Sequence, residues 1–414
     1  MKKLFRLLAI LTLGSIYLPV VFSNLPSPFH TPTFYLALWV MSISIFYPKL
    51  LFVKSILLVY LFVIIYFLSL EMFWGNRVDG VGNSINMLWV VKQISWPLLA
   101  ILMSTYFLTV TDYYGLGLVI ISSLLFIAIT SITTNLGFII YPNATRMLAA
   151  GAGDEFTRIF LKMGIGGYGF FTGIAFLSPV LGYYLKLNNL STKMKASLIC
   201  YLALIIYTIA KAQLTTALIT SVLFLLTSIF VKTNKFQGFV FISLITLGIV
   251  FIFRSLIGDF LIFIGDNVFP ESLIDQKLTD IAMTFTRDNS FTYNVSDTSD
   301  RLRRSLMSFQ SFLKNPLIGG GNVSGHAFWL DQLGQFGLLG IIPWVLIFKD
   351  QIRIYQKHLS SNYMSFYLLS ILAIIVFGLF KGGLGSAQVM VSVFFLVPGI
   401  YFLNYLKIVK NRII

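Results

Sequence analysis

Charged residues are scarce in this chain of 414 residues: 11% are charged and 57% are hydrophobic. A soluble domain usually has about a quarter of its residues charged. The mean hydropathy of +0.87 is far above what a water-soluble core can bury. Short alternating apolar segments of the kind that build a transmembrane β-barrel are absent from the sequence. The composition therefore predicts an all-α polytopic membrane protein.

Cysteine is nearly absent as well. The single Cys200 lies inside an apolar run, which excludes a disulfide framework and a cysteine-based metal site. The polar segments contain no HExxH motif, no DxD-like pair and no Cys/His cluster. We therefore expect neither a metal nor a cofactor.

Long apolar runs are what the sequence has in abundance. We predict twelve transmembrane spans, at 4–22, 34–47, 55–72, 94–110, 117–139, 165–185, 197–210, 214–231, 236–253, 326–348, 364–380 and 387–406. The first span has no small-x-small cleavage site before Asn24, so we interpret it as an uncleaved helix that starts in the cytoplasm. The whole of 1–414 is expected to form a single integral membrane domain.

The net charge of +15 is distributed unevenly between the two predicted sides. Inward segments hold 16 cations and two acids, Asp112 and Asp350, whereas outward segments hold the other 14 cations and 13 acids. This is the positive-inside distribution, with both termini cytoplasmic. Nucleic acid is thus not needed as a partner, and two separated acids argue against a metal- and nucleotide-dependent reaction on the cytoplasmic side.

Three outward segments are long: Glu71–Gln93, Tyr141–Gly164 and Arg254–Gly325. Loops held by a rigid bundle are where functional side chains concentrate. We expect 141–164 and 254–325 to be extracytoplasmic loops that carry the functional residues.

The range 300–314 predicts an amphipathic helix on the outer membrane surface, with Ser299 or Asp300 as N-cap. Its apolar residues recur at helical spacing, at Leu302, Leu306, Phe309 and Leu313. The first predicted turn holds three arginines, Arg301, Arg303 and Arg304, where the helix dipole disfavours cations. A bound phosphate would reverse that effect. Contact with lipid headgroups, or pairing with Asp297 and Asp300, is the alternative, and the residues alone leave both open.

His326 lies next to Gly325 at the start of an apolar run. An imidazole in this place can act as a base near neutral pH, or as an ordinary structural hydrogen-bonding group. Asp331 projects about 140° away from His326 on a helix, so the two cannot share a face. We expect Asp331 to pair with another helix, because a carboxylate in the membrane needs a partner.

Three more cations are candidates for binding an anion. Arg146 lies in the second long outer segment with no adjacent acid, whereas a salt bridge to Asp154 or Glu155 would explain Arg158. Lys211 lies between two apolar runs with almost no loop. A cation at that depth is either functional or extends to the outer interface.

The stretch Ser296–Gly340 resembles the polymerases and ligases of O-antigen and capsular polysaccharide (the Wzy type). That family has about a dozen spans, an arginine-bearing helix, an NPLxGxG turn, and a His-Asn pair before an apolar helix with spaced leucines and Gly-x-x-Gly. The matching residues are Arg301–Arg304, Asn315–Gly321, His326, Leu330, Leu333, Gly337 and Gly340. Ala327 departs from the pattern, since the family usually has Asn there, and this puts a role for that amide in doubt.

The resemblance implies a GT-C-like helical bundle in a bacterial inner membrane, acting as a glycosyltransferase on its outer face. The implied substrate is an oligosaccharide on undecaprenyl pyrophosphate, with His326 as base and Arg301, Arg303 and Arg304 holding the pyrophosphate. Arg146, Arg158 and Lys211 match only by their loop location, and Asp331 is a supporting residue. Implied pathway partners are a flippase and a chain-length regulator.

Two alternatives stay open. A ligase would use the same chemistry with lipid A-core as acceptor, and the sequence does not separate it from a polymerase. A lipid-linked oligosaccharide flippase or transporter would have cations lining a cavity among the helices instead of cations clustered beside a histidine.

The charge distribution makes the topology testable. Lys193 is expected to lie in the cytoplasm, so a fluorescent protein fused after it should fluoresce and alkaline phosphatase fused there should be inactive. Asn294 is expected to lie outside, so the two reporters fused there should give the opposite result. Alkaline phosphatase and fluorescent-protein fusions at both positions measure this. The reverse pattern would overturn the predicted orientation.

Overall fold

The computed structural model describes residues 1–73, 77–78, 84–85, 87–149, 154–186, 190–230, 254–268, 297–320 and 327–403, with 275, 278–279, 282, 323 and 325. Its helices are α1 (Lys2–Tyr17), α2 (Pro19–Phe22), α3 (Pro32–Phe46), α4 (Lys54–Phe73), α5 (Met87–Thr109), α6 (Tyr113–Ile140), α7 (Ala144–Ala149), α8 (Asp154–Lys162), α9 (Tyr168–Ala175), α10 (Ser178–Lys186), α11 (Thr192–Lys211), α12 (Thr215–Phe230), α13 (Arg254–Val268), α14 (Asp297–Lys314), α15 (Phe328–Gln356), α16 (Ser361–Phe380) and α17 (Ala387–Leu403). A short antiparallel hairpin pairs β1 (Arg77–Val78) with β2 (Ser84–Ile85), and 3₁₀ turns cover Pro48–Phe52 and Gly383–Gly385.

The protein is a helical membrane protein. Among the described residues, four helical segments are long and apolar enough to cross a bilayer: Tyr113–Ile140, Tyr168–Lys186, Thr192–Lys211 and Phe328–Gln356. Shorter apolar helices lie in six further predicted spans, at Pro32–Phe46, Lys54–Leu68, Ile94–Thr109, Thr216–Phe230, Tyr363–Leu379 and Ala387–Leu403, and the first predicted span is covered by α1 and α2. The predicted span at 236–253 lies outside the described residues, so the number of crossings stays a prediction.

Several boundaries differ from those predicted. The first predicted span is divided at Leu18 into α1 and α2, because Pro19 has no N–H to continue the helical hydrogen bonds. The predicted span at 165–185 consists of two helices, α9 and α10. The predicted loop Glu71–Gln93 is shorter than expected, because α5 begins at Met87.

One end of the bundle, which we call the basic end, contains residues 1–6, 48–55, 104–113 and 349–358. Arg6 forms a double hydrogen bond with Asp112, at 2.8 and 2.6 Å. This ion pair holds the pKa of the Asp112 carboxyl below its usual range. Ser55 donates to Asp350 and Ser104 bonds to Tyr355, so the ends of α4, α5 and α15 meet here.

The opposite end, which we call the loop end, joins the chain near Tyr17, 164–169, 327–328 and 381–388. The Tyr17 hydroxyl donates to the Gln388 carbonyl at 2.6 Å, and the Phe328 N–H donates to the Lys381 carbonyl at 3.1 Å. Segments that the charge distribution assigns to one side thus share one end of the bundle. Which end faces the cytoplasm stays a prediction.

Helix α15 is broken at Gly337, where φ is 60° and ψ is −148°. This region of backbone space is essentially open to glycine alone. The turn after α14 fills the break: Leu338 N–H donates to the Pro316 carbonyl at 2.8 Å, and Leu339 N–H to the Leu317 carbonyl at 3.2 Å. The carbonyls of Pro316 and Leu317 therefore satisfy the N–H groups that open the second half of α15.

We expect Gly337→Ala to destabilise the protein by about 1–3 kcal/mol. The added Cβ would lie 2.5 Å from the carbonyl oxygens of Pro316 and Leu317. The φ and ψ angles at this position are also strained for any residue that has a Cβ. Thermal unfolding of the purified protein in detergent measures the loss.

Gly117→Ala in α6 is the matched control, because its Cβ would meet only Leu403 atoms at 3.9 and 4.0 Å. Replacing a mid-helix glycine there is expected to stabilise by about 0.5–1 kcal/mol. An unfolding temperature for Gly337→Ala at or above that of the unaltered protein would contradict the account of the break.

Candidate active site

Helix α14, which carries the three candidate arginines, packs along the first half of α15. The contact is made by small polar side chains. Ser308 is fully buried and donates to Asp331 Oδ1 at 2.8 Å, and Ser311 is buried and donates to the Gly334 carbonyl at 3.2 Å. Small residues allow two helices to approach closely, and their hydrogen bonds add to the packing.

The apolar face of α14 points away from the bundle. Leu306 is 51% exposed and Leu313 is 58% exposed, and Phe309 and Leu317 are exposed beside them. A surface helix of a soluble protein would bury this face and expose its serines. The reversed arrangement suits a helix that borders lipid hydrocarbon, as predicted for a membrane-surface helix.

Helix α14 begins at Asp297, three residues before the predicted start. The prediction that the arginines occupy the first turn is therefore wrong, because Asp297–Asp300 already form that turn. Arg301, Arg303 and Arg304 follow in the second turn, where the helix dipole is weaker. Their side chains lie outside the described residues.

Asp331 connects α14 to the start of α15. Besides Ser308, its carboxylate accepts a hydrogen bond from the Ala327 N–H at 3.1 Å. The expectation that Asp331 pairs with another helix is confirmed, and the partner is Ser308 of α14. One carboxylate thus ties the arginine-bearing helix to the residue that follows His326.

His326 itself lies outside the described residues, but its neighbours downstream are held firmly. Phe328 N–H donates to the Lys381 carbonyl at 3.1 Å, and the Trp329 indole donates to the Ile375 carbonyl at 2.9 Å. The chain directly after His326 is therefore anchored to α14 on one side and to α16 on the other.

The remaining candidate cations are placed on other elements. Arg146 lies on α7, its side chain outside the described residues, and Arg158 is exposed on α8. Arg158 makes no ion pair with Glu155 or with any other described side chain. The side chain of Asp154, the other predicted partner, lies outside the described residues. Helix α8 packs on α2 and α7, and no extensive contact joins α7 or α8 to α14 within the described chain.

Lys211 is the last residue of α11 and is exposed, with its Nζ 5.8 Å from the centre of the Tyr207 ring. A cation at a helix C-terminus is favoured by the helix dipole, and the aromatic ring adds a cation–π contact. These two contacts explain Lys211 without a ligand, so it is the weakest of the anion candidates.

Sequence reasoning missed Ser308 and Ser311. Their signal is spacing: they lie three residues apart, on the face opposite Leu306 and Leu313. Small polar residues that recur on one face of a helix indicate a face that packs closely on another helix. The buried Gln332 and Gln335, on the facing half of α15, were missed as well.

The described residues contain no group of three His, Cys, Asp or Glu side chains that could hold a metal ion. Proton transfer by His326 and anion binding by the guanidinium groups stay predictions.

No family model matches the chain, and a search of curated proteins finds none that is detectably similar to it.

The Ser308–Asp331 contact predicts a measurable coupling. Either Ser308→Ala or Asp331→Ala removes the hydrogen bond between these two buried side chains, and each is expected to cost about 1–3 kcal/mol. The double variant should cost less than the sum of the two, because the same contact is lost in both. Unfolding temperatures of the four proteins measure the coupling.

Ser44→Ala is the matched control, because Ser44 is exposed on α3 and bonds only to the Val40 carbonyl of its own helix. It should change stability by about 0.5 kcal/mol or less. Additive effects of Ser308→Ala and Asp331→Ala would show that the bond contributes nothing.

Proposed function

We propose that this protein is a polysaccharide polymerase of the inner membrane of a bacterium. It transfers a growing glycan from undecaprenyl pyrophosphate onto the next lipid-linked repeat unit, on the outer face of the membrane. Both termini then lie in the cytoplasm, and the loop end faces outward. The observation that carries the proposal is the Ser308–Asp331–Ala327 connection, which holds the arginine helix against the chain that follows His326.

The geometry of α14 suits a lipid-linked donor. Its exposed apolar face, including Leu306, Phe309 and Leu313, offers a surface for the polyprenyl chain. Arg301, Arg303 and Arg304 lie at the other end of the same helix, where they meet the pyrophosphate. An amphiphilic substrate is thereby bound along its length, hydrocarbon at one end and anion at the other.

The reaction displaces pyrophosphate from the anomeric carbon. A hydroxyl oxygen of the acceptor sugar bonds to that carbon as the bond to the pyrophosphate oxygen breaks. The hydroxyl proton passes to the His326 imidazole, which works as a base near neutral pH. Direct displacement inverts the anomeric configuration, and undecaprenyl pyrophosphate leaves as the second product.

The arginines supply the electrostatic part of catalysis. Negative charge builds on the pyrophosphate as its bond to the sugar breaks, and guanidinium groups neutralise it while forming paired hydrogen bonds. Because pyrophosphate is already a good leaving group, this neutralisation suffices without a divalent cation.

The test is reconstitution of the purified full chain with a lipid-linked repeat unit and no nucleotide. A ladder of longer lipid-linked glycans is expected. His326→Ala should lower the rate by about 10²–10⁴-fold, and Arg304→Ala by about 10²–10³-fold, with single repeat units left on lipid.

Matched controls are His30→Ala, an exposed histidine in the turn before α3, and Arg353→Ala, an exposed arginine at the basic end. Both should retain full polymerisation. Full activity of His326→Ala would end the assignment of the base. Product formed only with a lipid A-core acceptor would indicate a ligase, and transport without any new glycosidic bond would indicate a flippase.

A further inference from the structure

A cavity of about 240 Å³ opens at the basic end, between the C-terminal ends of α5 and α15 and the 3₁₀ turn before α4. It is far from the candidate active site at the loop end. Its polar lining includes Thr105, Thr109, Gln351 and His358, and its apolar lining includes Val53 and Ile354.

The strongest sign of a ligand is Gln351, which is only 1% exposed. Its amide has two N–H donors and a carbonyl acceptor, yet no described residue forms a hydrogen bond with that amide. Because Gln351 lines the cavity, a molecule bound there can supply the hydrogen-bond partners that the described residues do not. The buried Thr105 hydroxyl, on the same cavity wall, also lacks a partner among the described residues.

Other polar groups nearby are satisfied by the protein. Ser104 bonds to Tyr355, Asp350 accepts from Ser55, and Asp112 pairs with Arg6. The acids around the cavity are therefore engaged, while Gln351 and Thr105 keep their hydrogen-bonding capacity for a molecule in the cavity.

The charge around the cavity changes from its interior to its rim. Burial, and then the neighbouring Lys357, lower the pKa of the His358 imidazole, so at neutral pH it is mainly a neutral donor and acceptor. Lys54 directly follows the lining residue Val53, and Lys357 directly precedes the lining residue His358. Both lysines are exposed, and neither forms an ion pair with a described residue. The interior thus suits neutral hydroxyls, and the rim suits an anion.

An exposed apolar side chain lies next to the cavity in sequence. Phe52 is 71% exposed and directly precedes Val53, which places a large apolar side chain beside the opening. A volume of about 240 Å³ holds several water molecules and is enough for a three-carbon polyol.

We propose that this cavity binds a phosphoglycerol group, with its hydroxyls on Gln351, Thr105 and His358 and its phosphate on Lys54 and Lys357. The group comes from the headgroup of an anionic phospholipid, whose acyl chains lie along the apolar side of the opening, or from a soluble glycerol phosphate. The site does not depend on the polymerase reaction.

The experiment follows the unfolding temperature of the purified full chain in detergent during titration with short-chain phosphatidylglycerol. A saturable rise is expected, because a ligand that binds only the folded state stabilises it. Phosphatidylcholine of the same chain length should give no saturable rise. Titration with sn-glycerol 3-phosphate separates the sources: competition with the lipid supports a headgroup site, and saturation without any effect of the lipid supports a soluble ligand.

Gln351→Leu should weaken the apparent affinity about tenfold, with no loss of stability when ligand is absent, since it replaces an unpartnered amide. Gln356→Leu is the matched control on the same helix, because Gln356 is exposed. The affinity of this variant for phosphatidylglycerol should be unchanged. Thr105→Val provides a second, nearly isosteric test if Gln351→Leu fails to fold.

Three results would overturn the proposal. Equal shifts by phosphatidylcholine and phosphatidylglycerol would show a bulk lipid effect. Saturation by inorganic phosphate alone would show that the hydroxyl groups are not recognised. Unchanged affinity in both Gln351→Leu and Thr105→Val would show that binding occurs elsewhere.

Discussion

The break in α15 at Gly337 is the constraint on which the loop end depends. Inside a bilayer, each backbone N–H must find a partner within the protein, so a helix can be interrupted only where another segment replaces the lost bonds. Here the carbonyls of Pro316 and Leu317 do so. The turn that supplies them directly follows α14, so the same contact that repairs α15 also fixes the end of the arginine-bearing helix.

The position of α14 follows from that contact. Once the turn is docked, the helix lies against the first half of α15, and only small side chains fit between them. Ser308 and Ser311 occupy that interface, and the larger apolar residues are left facing outward. A helix with its small polar face buried and its apolar face exposed is stable only beside hydrocarbon. The proposed donor site, an anion-binding end joined to a lipid-facing side, is a consequence of this packing.

The two ends of the bundle use their polar residues differently. At the basic end, the Arg6–Asp112 ion pair and side-chain hydrogen bonds such as Ser104–Tyr355 tie the helix ends together, and the cavity of about 240 Å³ lies among them. At the loop end, Asp331 organises backbone and helix contacts around the chain near His326. The apolar bundle separates these two polar regions, so the two proposed sites are independent of each other.

Sequence alone determined that the chain is helical and membrane-embedded, and where most helices lie. In a membrane, a long apolar run satisfies its backbone N–H and C=O groups by forming a helix. This signal depends only on residues that are neighbours in the sequence. The sequence also predicted that Asp331 needs a partner, because a carboxylate among apolar residues is costly. It misplaced the start of α14, because Asp297–Asp300 are as typical of a cap as of a first helical turn.

Tertiary structure decided which helices contact one another and through which side chains. Ser308 and Asp331 are 23 residues apart, and Leu338 and Pro316 are 22 residues apart. No periodicity within either helix specifies such a pairing. The unpartnered amide of Gln351 likewise looks like an ordinary polar residue until α5 and α15 enclose it. Apolar patterning acts through neighbours along the chain, whereas these contacts arise only when separate helices pack, and for that reason the structure alone reveals them.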